Sequence, residues 1–357
     1  MKLKKVYVVV FFRLLVCLFS LFVISKITIL GDYRRYILGD PKLVIRTDGL
    51  HFILNSTSLT EFLVGSMRKI CLENEIITSL IFNVIGSFGI IYFLKSILWN
   101  RIVCFLLFAP SFLIWSSYPS KELLVVLAAG LIMGNLVKLY EEKKRVKKDK
   151  ILFILGLFLM YIYKKQYLIC ILFLVIYIRL RKKIKFNLRI VIYLSYFILL
   201  ISVFYLYRDK IDFLLKDFHL HFDYGSKETE RNLFIFREKY GFFKNMIYGM
   251  FISFFGPSLF EIKQGGLKLL AFIESLVIIG SVIYSTIKMK KKSLEQFFLF
   301  FNGVFLLLLP QYPFGIFNSG SAIRYRANLY IIFLGMLYIF ILKKEHFRNE
   351  KSYFFKK

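Results

Sequence analysis

Lys121 and Glu122 stand side by side at the start of a long apolar run, in WSSYPSKELLVV. Pro119 breaks the chain just ahead of them, and the connection is so short that both charges are fixed at a membrane surface when the flanking runs cross a bilayer. A carboxylate there suits a first helical turn and can also accept a proton from a reacting group. Asp32, in GDYRRYILGD, offers the same chemistry at the exit of the first apolar run. His221 is a third candidate base, with an unperturbed pKa of about 6.5. It lies in a long polar segment, where His219 shares its face only if the backbone is extended. Cations complete the set. Arg324 and Arg326, in GSAIRYRANLY, precede the last apolar run, and Lys165 lies between two apolar stretches. The planar fork of arginine matches phosphate oxygens, and a helix start adds to that preference. A candidate base together with cations suited to phosphate oxygens is equipment for a group transfer at a membrane surface. The candidate bases rank Glu122, Asp32, His221. Lys121, Lys165, Arg324 and Arg326 are the expected substrate-binding cations, converging on one cavity.

The elements that must position these residues are membrane helices. Of 357 residues, 58% are apolar, about 207, against a norm of roughly 45–50% for soluble domains. At about 20 residues per crossing of a 30 Å hydrocarbon core, they supply on the order of ten helices with little left over. A cytosolic or secreted enzyme is excluded. The runs are continuous rather than alternating, so the expected fold is an all-α helical bundle and not a barrel. They fall near residues 6–30, 76–94, 102–118, 123–140, 151–178, 190–207, 268–287, 294–311 and 328–342. The whole chain, 1–357, reads as one transmembrane domain with outer loops 31–75, 208–267 and 312–327.

The net charge of +29 arises from 51 Lys and Arg against 22 Asp and Glu. In a soluble chain it points to nucleic acid, but here its placement follows membrane topology. With both termini cytoplasmic, the inward connections hold 27 of the 51 basic residues in only 54 positions. The positive-inside rule selects that orientation. It also requires 141–150 (EEKKRVKKDK) and 179–189 (RLRKKIKFNLR) to share a side with only 28 residues between them. Two half-length helices, turning back at Tyr163–Gln166, satisfy this as a re-entrant hairpin; the alternative is one long tilted helix. The first apolar run, about 25 residues without a small-x-small cleavage site, is read as a retained helix, longer than the h-region of a signal peptide. The stretch MFISFFGPSLF, broken at Gly256-Pro257, reads as an interfacial or re-entrant turn. The scattered cysteines have neither disulfide nor zinc spacing, and no cofactor motif occurs.

Three stretches, in order, resemble one family. LFAPSFLIWSSYPSKELLVV resembles the P-S-x-x-x-W-S-S … K-E segment of bacterial polysaccharide repeat-unit polymerases, the Wzy-like O-antigen and capsule polymerases. GPSLFEIKQGGLKLLAFIESL is similar to their later G-P-x-P-W-E … E-S-L segment, and GSAIRYRANLY to their R-Y-R segment. Where the family often has Arg-Pro in the middle hairpin this chain has Lys165-Gln166, and Leu259-Phe260 precede Glu261 in place of Pro-Trp. The resemblance implies a C-type glycosyltransferase-like fold in the bacterial inner membrane, about ten membrane segments, and an active site facing the periplasm. It implies polymerisation of undecaprenyl-diphosphate-linked oligosaccharide without nucleotide sugar, metal or other cofactor. Implied partners are that lipid-linked substrate, membrane lipid, and a chain-length regulator and flippase of the same pathway, with no nucleic acid. Two alternatives stand beside it: a C-type transferase adding one sugar from a polyprenyl-phosphate donor, with Asp32 as base, and a polysaccharide transporter or flippase. A transporter places charge near the midplane, whereas the charged clusters here sit at the outer ends of helices, with Glu274 the midspan exception.

Overall fold

A computed structural model of the chain describes residues 2–27, 30, 32–39, 55–97, 99–181, 183–184, 186–223, 231, 238–264, 266–287 and 294–342. Among these residues every regular element is helical. Six helices are long and apolar enough to cross a membrane, or seven if one bent pair is a single span. The protein is therefore a multi-pass helical membrane protein. The sequence expectation of about ten segments exceeds that count because several runs are shortened or broken.

The bundle is built around two helices, α7 (Lys121–Tyr140) and α17 (Ser319–Met336). In each, 89% of the apolar window is buried, so neighbours surround them on all sides. Helix α4 (Glu75–Ser96) crosses α7 where Gly89 faces Gly130. A Cβ at either position would run into the backbone of the opposite helix. Without a hydrophobic drive between helices in lipid, such small-residue contacts supply the packing. Gly156 of α8 (Lys147–Lys164) and Gly335 of α17 meet Ile132 and Met133 of α7 in the same way.

The region 102–118, expected as one span, is broken. Helix α5 (Arg101–Leu106) stops, and α6 (Pro110–Trp115) restarts with proline in its first turn. Proline lacks the donor needed inside a helix and biases Ala109 toward extended backbone, so it can begin a helix but not continue one. Helix α1 (Lys2–Phe19) runs on through a π-helical turn, Ser20–Ile24, to Ile27.

The segment 147–180 turns back on itself. Helix α8 leaves the Tyr140 end of the bundle, where Asp149 is 2.7 Å from Lys138. It reaches the opposite end, where Lys164 lies 4.7 Å from the Tyr325 ring. After a 3-10 turn, Lys165–Tyr167, α9 (Leu168–Leu180) returns and sets Arg181 3.8 Å over the Tyr140 ring. Residues 141–150 and Arg181 thus share an end, as the charge pattern requires. The first arm is longer than half-length, 18 residues spanning about 27 Å at 1.5 Å per residue, whereas the second, with 13 residues, spans about 20 Å.

Helix α10 (Phe186–Leu206) bends by 65° into α11 (Arg208–Asp223). The stretch read as a solvated loop is thus partly an amphipathic helix. After the single turn α12 (Gly241–Lys244), helix α13 (Met246–Phe255) has ten residues, too short to cross. Its Phe254 ring lies 5.1 Å from Phe333, well along α17, before the chain turns at Gly256-Pro257. The outer helices are α14 (Gly266–Ile287) and α15 (Leu294–Leu308), and the short α16 (Tyr312–Ile316) leads into α17.

Helix α17 begins at Ser319, not near residue 328 as the apolar run alone suggests. Asn318 caps it, its side-chain oxygen accepting from the Ser321 N–H at 2.9 Å. A good cap carries the helix nine residues past the end of its apolar stretch.

Candidate functional site

At the Lys121 end of the bundle, four separate elements bring charges together. Ser120 is extended and its hydroxyl accepts from the Leu123 N–H at 3.2 Å, so α7 starts at Lys121 and Glu122 lies in its first turn. Asp32 directly precedes the short α2 (Tyr33–Ile37), but its carboxylate makes no capping bond. It turns instead to Arg324, whose Nη2 donates to Asp32 Oδ2 at 3.0 Å, and to the Tyr36 hydroxyl at 3.3 Å. The same guanidinium donates from Nε to Glu122 Oε1 at 2.8 Å. One arginine, fixed in the second turn of α17, therefore holds both carboxylates.

The carboxylates differ in reach. The Asp32 side chain is 45% exposed, whereas that of Glu122 is 1% exposed. Glu122 Oε2 is buried without a hydrogen-bond partner among the described residues, as is the Tyr118 hydroxyl nearby. Burial raises the Asp32 pKa, but Arg324, then Lys121 and the Tyr36 hydroxyl, more than offset it and leave the carboxyl below its ordinary value. Asp32 is thus ionised at neutral pH.

Two further cations act on this cluster. Lys121 donates to Thr57 Oγ1, at the start of α3 (Ser56–Ile70), and not to its neighbour Glu122. Its ammonium remains within electrostatic reach of Glu122, Asp32 and Arg324. Lys164 sits over two aromatic rings, 4.7 Å from Tyr325 and 5.5 Å from Phe314, a cation–π arrangement. It too is within electrostatic reach of Glu122, Lys121 and Arg324. Three cations against two carboxylates leave a net positive centre that favours an anion.

Two expectations require correction. Lys165 is exposed on the 3-10 turn, and Lys164 takes the inward place. The kink at Lys164, with φ −153° and ψ 60°, decides which of two adjacent lysines faces the cluster, and composition cannot. Arg326 does not join Arg324. Because α17 begins at Ser319, the two are helical neighbours two apart and project about 200° from each other. Arg326 is 1% exposed and donates to Ser275 Oγ at 2.5 Å and to the Phe254 carbonyl at 3.2 Å. Glu274 lies 3.6 Å away, so this pair belongs to the interior of the bundle. His219 and His221 lie in helical backbone at the end of α11, which excludes the extended geometry that puts them on one face. Their side chains are outside the described residues.

Sequence reasoning missed Lys164, Thr57 and Tyr325. The dipeptide Lys164-Lys165 marked the place but not the residue. A second pair, Arg231 and Glu261, is a staple: Arg231 Nε donates to Glu261 at 2.7 Å and its Nη1 to the Gly315 carbonyl at 2.7 Å. Among the described residues no three of His, Cys, Asp and Glu come together as a metal site.

Beside the charged cluster runs an apolar groove of about 610 Å³, counting its open mouth. Trp115, Leu267, Ala271 and Ile323 are among its lining residues. Ile323 adjoins Arg324 in sequence and the Trp115 ring is 6.1 Å from Tyr118, but none of the five charged residues of the cluster lines the groove. No protein-family model, curated protein or solved structure matches the chain.

Proposed function

We propose that the protein is a glycosyltransferase of the bacterial inner membrane that polymerises undecaprenyl-diphosphate-linked oligosaccharide repeat units at the periplasmic face. The observation that carries the reading is the cluster itself: Arg324, Lys121 and Lys164 surround Asp32 and Glu122 at one end of the bundle, beside an apolar groove. A diphosphate brings at least two negative charges to a centre with one surplus cation, and a polyprenyl tail suits the groove. The acceptor hydroxyl attacks the anomeric carbon of the growing chain while the bond to the diphosphate oxygen breaks. The bonding pair leaves with the diphosphate, which the three cations stabilise, and the hydroxyl proton passes to a carboxylate. Asp32 is the better base on reach, because a 1% exposed Glu122 is closed to an acceptor while Arg324 holds it. This reverses the order drawn from sequence, and Glu122 becomes the anchor of Arg324.

Several coarser features support the C-type fold of about ten segments. Counting the broken span α5–α6, both arms of the hairpin, α10 and α15 along with the other long helices gives ten. The connections on the Tyr140 side are the basic ones, which supports a periplasmic site. A chain-length regulator and flippase remain the proposed partners. The exposed Asp32 favours one second reading, transfer of a single sugar from a polyprenyl-phosphate donor. The surface polysaccharide of a deletion strain separates them on a gel. One-repeat products support the polymerase, complete loss favours the single-sugar transferase, and an unchanged ladder removes both.

A further inference from the structure

Away from the cluster, several charged side chains lie buried inside apolar spans, among them Arg13 in α1 and Glu274 in α14. A charge at such a place is costly unless it is paired or satisfies backbone groups that lipid cannot. Glu274 has Arg326 beside it, but Arg13 faces no carboxylate at ion-pair distance among the described residues.

Both charges end on the same element, the six-residue α6, one at each end. At its start the Ser111 N–H donates to Glu274 Oε2 at 2.7 Å and the Ser111 hydroxyl to Oε1 at 2.6 Å. At its finish the Arg13 guanidinium donates to the Ser116 carbonyl and, at 2.9 Å, to the Ser116 hydroxyl. Arg13 Nε donates onward to Ser87 at 2.9 Å in α4. Asn83 of α4 donates to the Ser117 carbonyl at 2.5 Å and to the Arg13 carbonyl at 3.2 Å. A broken span leaves orphan N–H and C=O groups at each end of its pieces, and here the side chains of Glu274 from α14 and Arg13 from α1 take them up.

We infer that Arg13 and Glu274 are positioning residues, which clamp α6 end to end and so set the turn 116–120 that delivers Lys121 and Glu122 to the cluster. The inference rests on the proposed function for what the cluster does, and on geometry alone for how it is held. Three residues separate Ser116 from Ser120, the cap of α7, so the turn has little freedom once Ser116 and Ser117 are fixed. The clamp also fills both ends of the half-helix with the chain's own charges, whereas a transporter leaves such ends open to cargo.

The test is thiol labelling of Ser117→Cys in a background lacking Cys17, Cys71, Cys104 and Cys170, with Ser96→Cys, buried at the far end of α4, as control. With Arg13 intact, the Cys at 117 should resist a small maleimide. Arg13→Met should speed its labelling at least tenfold while the control stays protected, and Arg13→Lys, which keeps a cationic donor, should restore most of the protection. Should Arg13→Met fail to accumulate, Glu274→Gln is read in its place, with the same expectation of faster labelling at 117 alone. Equal labelling with and without the change overturns the clamp, and so does labelling that rises as much at 96 as at 117. Selective labelling in a protein whose intact form lengthens no polysaccharide leaves the clamp standing and removes the proposed function.

Discussion

Arg324 Nε donates to Glu122 Oε1 at 2.8 Å, joining residues 202 positions apart. The contact fixes α17 against the start of α7. Through its other nitrogen Arg324 also fixes Asp32, so the resting site is a closed triad of charges.

Loss of Arg324 should therefore destabilise the fold. Removing one partner of a buried pair costs about 3–5 kcal/mol, because the other charge is left uncompensated. Arg324→Gln should lower the melting temperature in detergent, and adding Glu122→Gln should recover much of the loss. A double variant melting no higher than the single one would mean that Arg324 does not neutralise Glu122.

The two adjacent lysines should behave differently. Lys164→Met removes a cation that faces the cluster, and loss of one such stabilising group costs on the order of 10²-fold in rate. Lys165→Met, on the exposed side of the turn, should leave polymer length and rate nearly unchanged. The opposite pattern would return Lys165 to the site.

How much of this was legible in the sequence differs from residue to residue. Continuous apolar runs specified helices, and charge asymmetry around 141–150 and 179–189 required a return at the 163–166 tip. Types and rough places of the clustered charges, Asp32, Lys121, Glu122 and Arg324, were readable because ionisable residues at helix ends stand out against an apolar background. Facing was not. Arg324 and Arg326 look equivalent until Asn318 is known to cap the helix, and Lys164 and Lys165 until the backbone kink is known. Arg13 was hidden in an apolar run, and its partners, Ser87 and Ser116, are 74 and 103 residues away.

The Asp32 bridge should persist into acid. Its folded pKa lies below the unfolded value of about 3.9, so its contribution is complete above that pH and is lost as pH falls through the folded value. The difference in melting temperature between the wild type and Asp32→Asn should stay constant from pH 8 to 5 and close only below about 4. A difference that closes between pH 7 and 5 would contradict the assignment of an Arg324-stabilised carboxylate.

Glycine packing around α7 gives a prediction about the fold itself. A side chain at Gly130 meets the backbone of Gly89, so Gly130→Val should abolish accumulation of folded protein. At Gly280 in α14 a Cβ meets nothing within 4 Å. Gly280→Ala should be neutral or gain about 0.5–1 kcal/mol from the better helix former. Thermal unfolding of the two variants checks both halves, and equal tolerance at the two sites would deny the close crossing.

Chain extension by the purified protein is the most direct measurement. Reconstituted in liposomes with undecaprenyl-diphosphate-linked repeat units, it should release undecaprenyl diphosphate and build a ladder of lipid-linked oligomers, resolved by gel and mass spectrometry. Arg324→Gln and Asp32→Asn should each reduce that ladder to the single repeat. A protein that leaves every repeat unit single, or that moves them across the bilayer without joining them, would contradict the proposed polymerase.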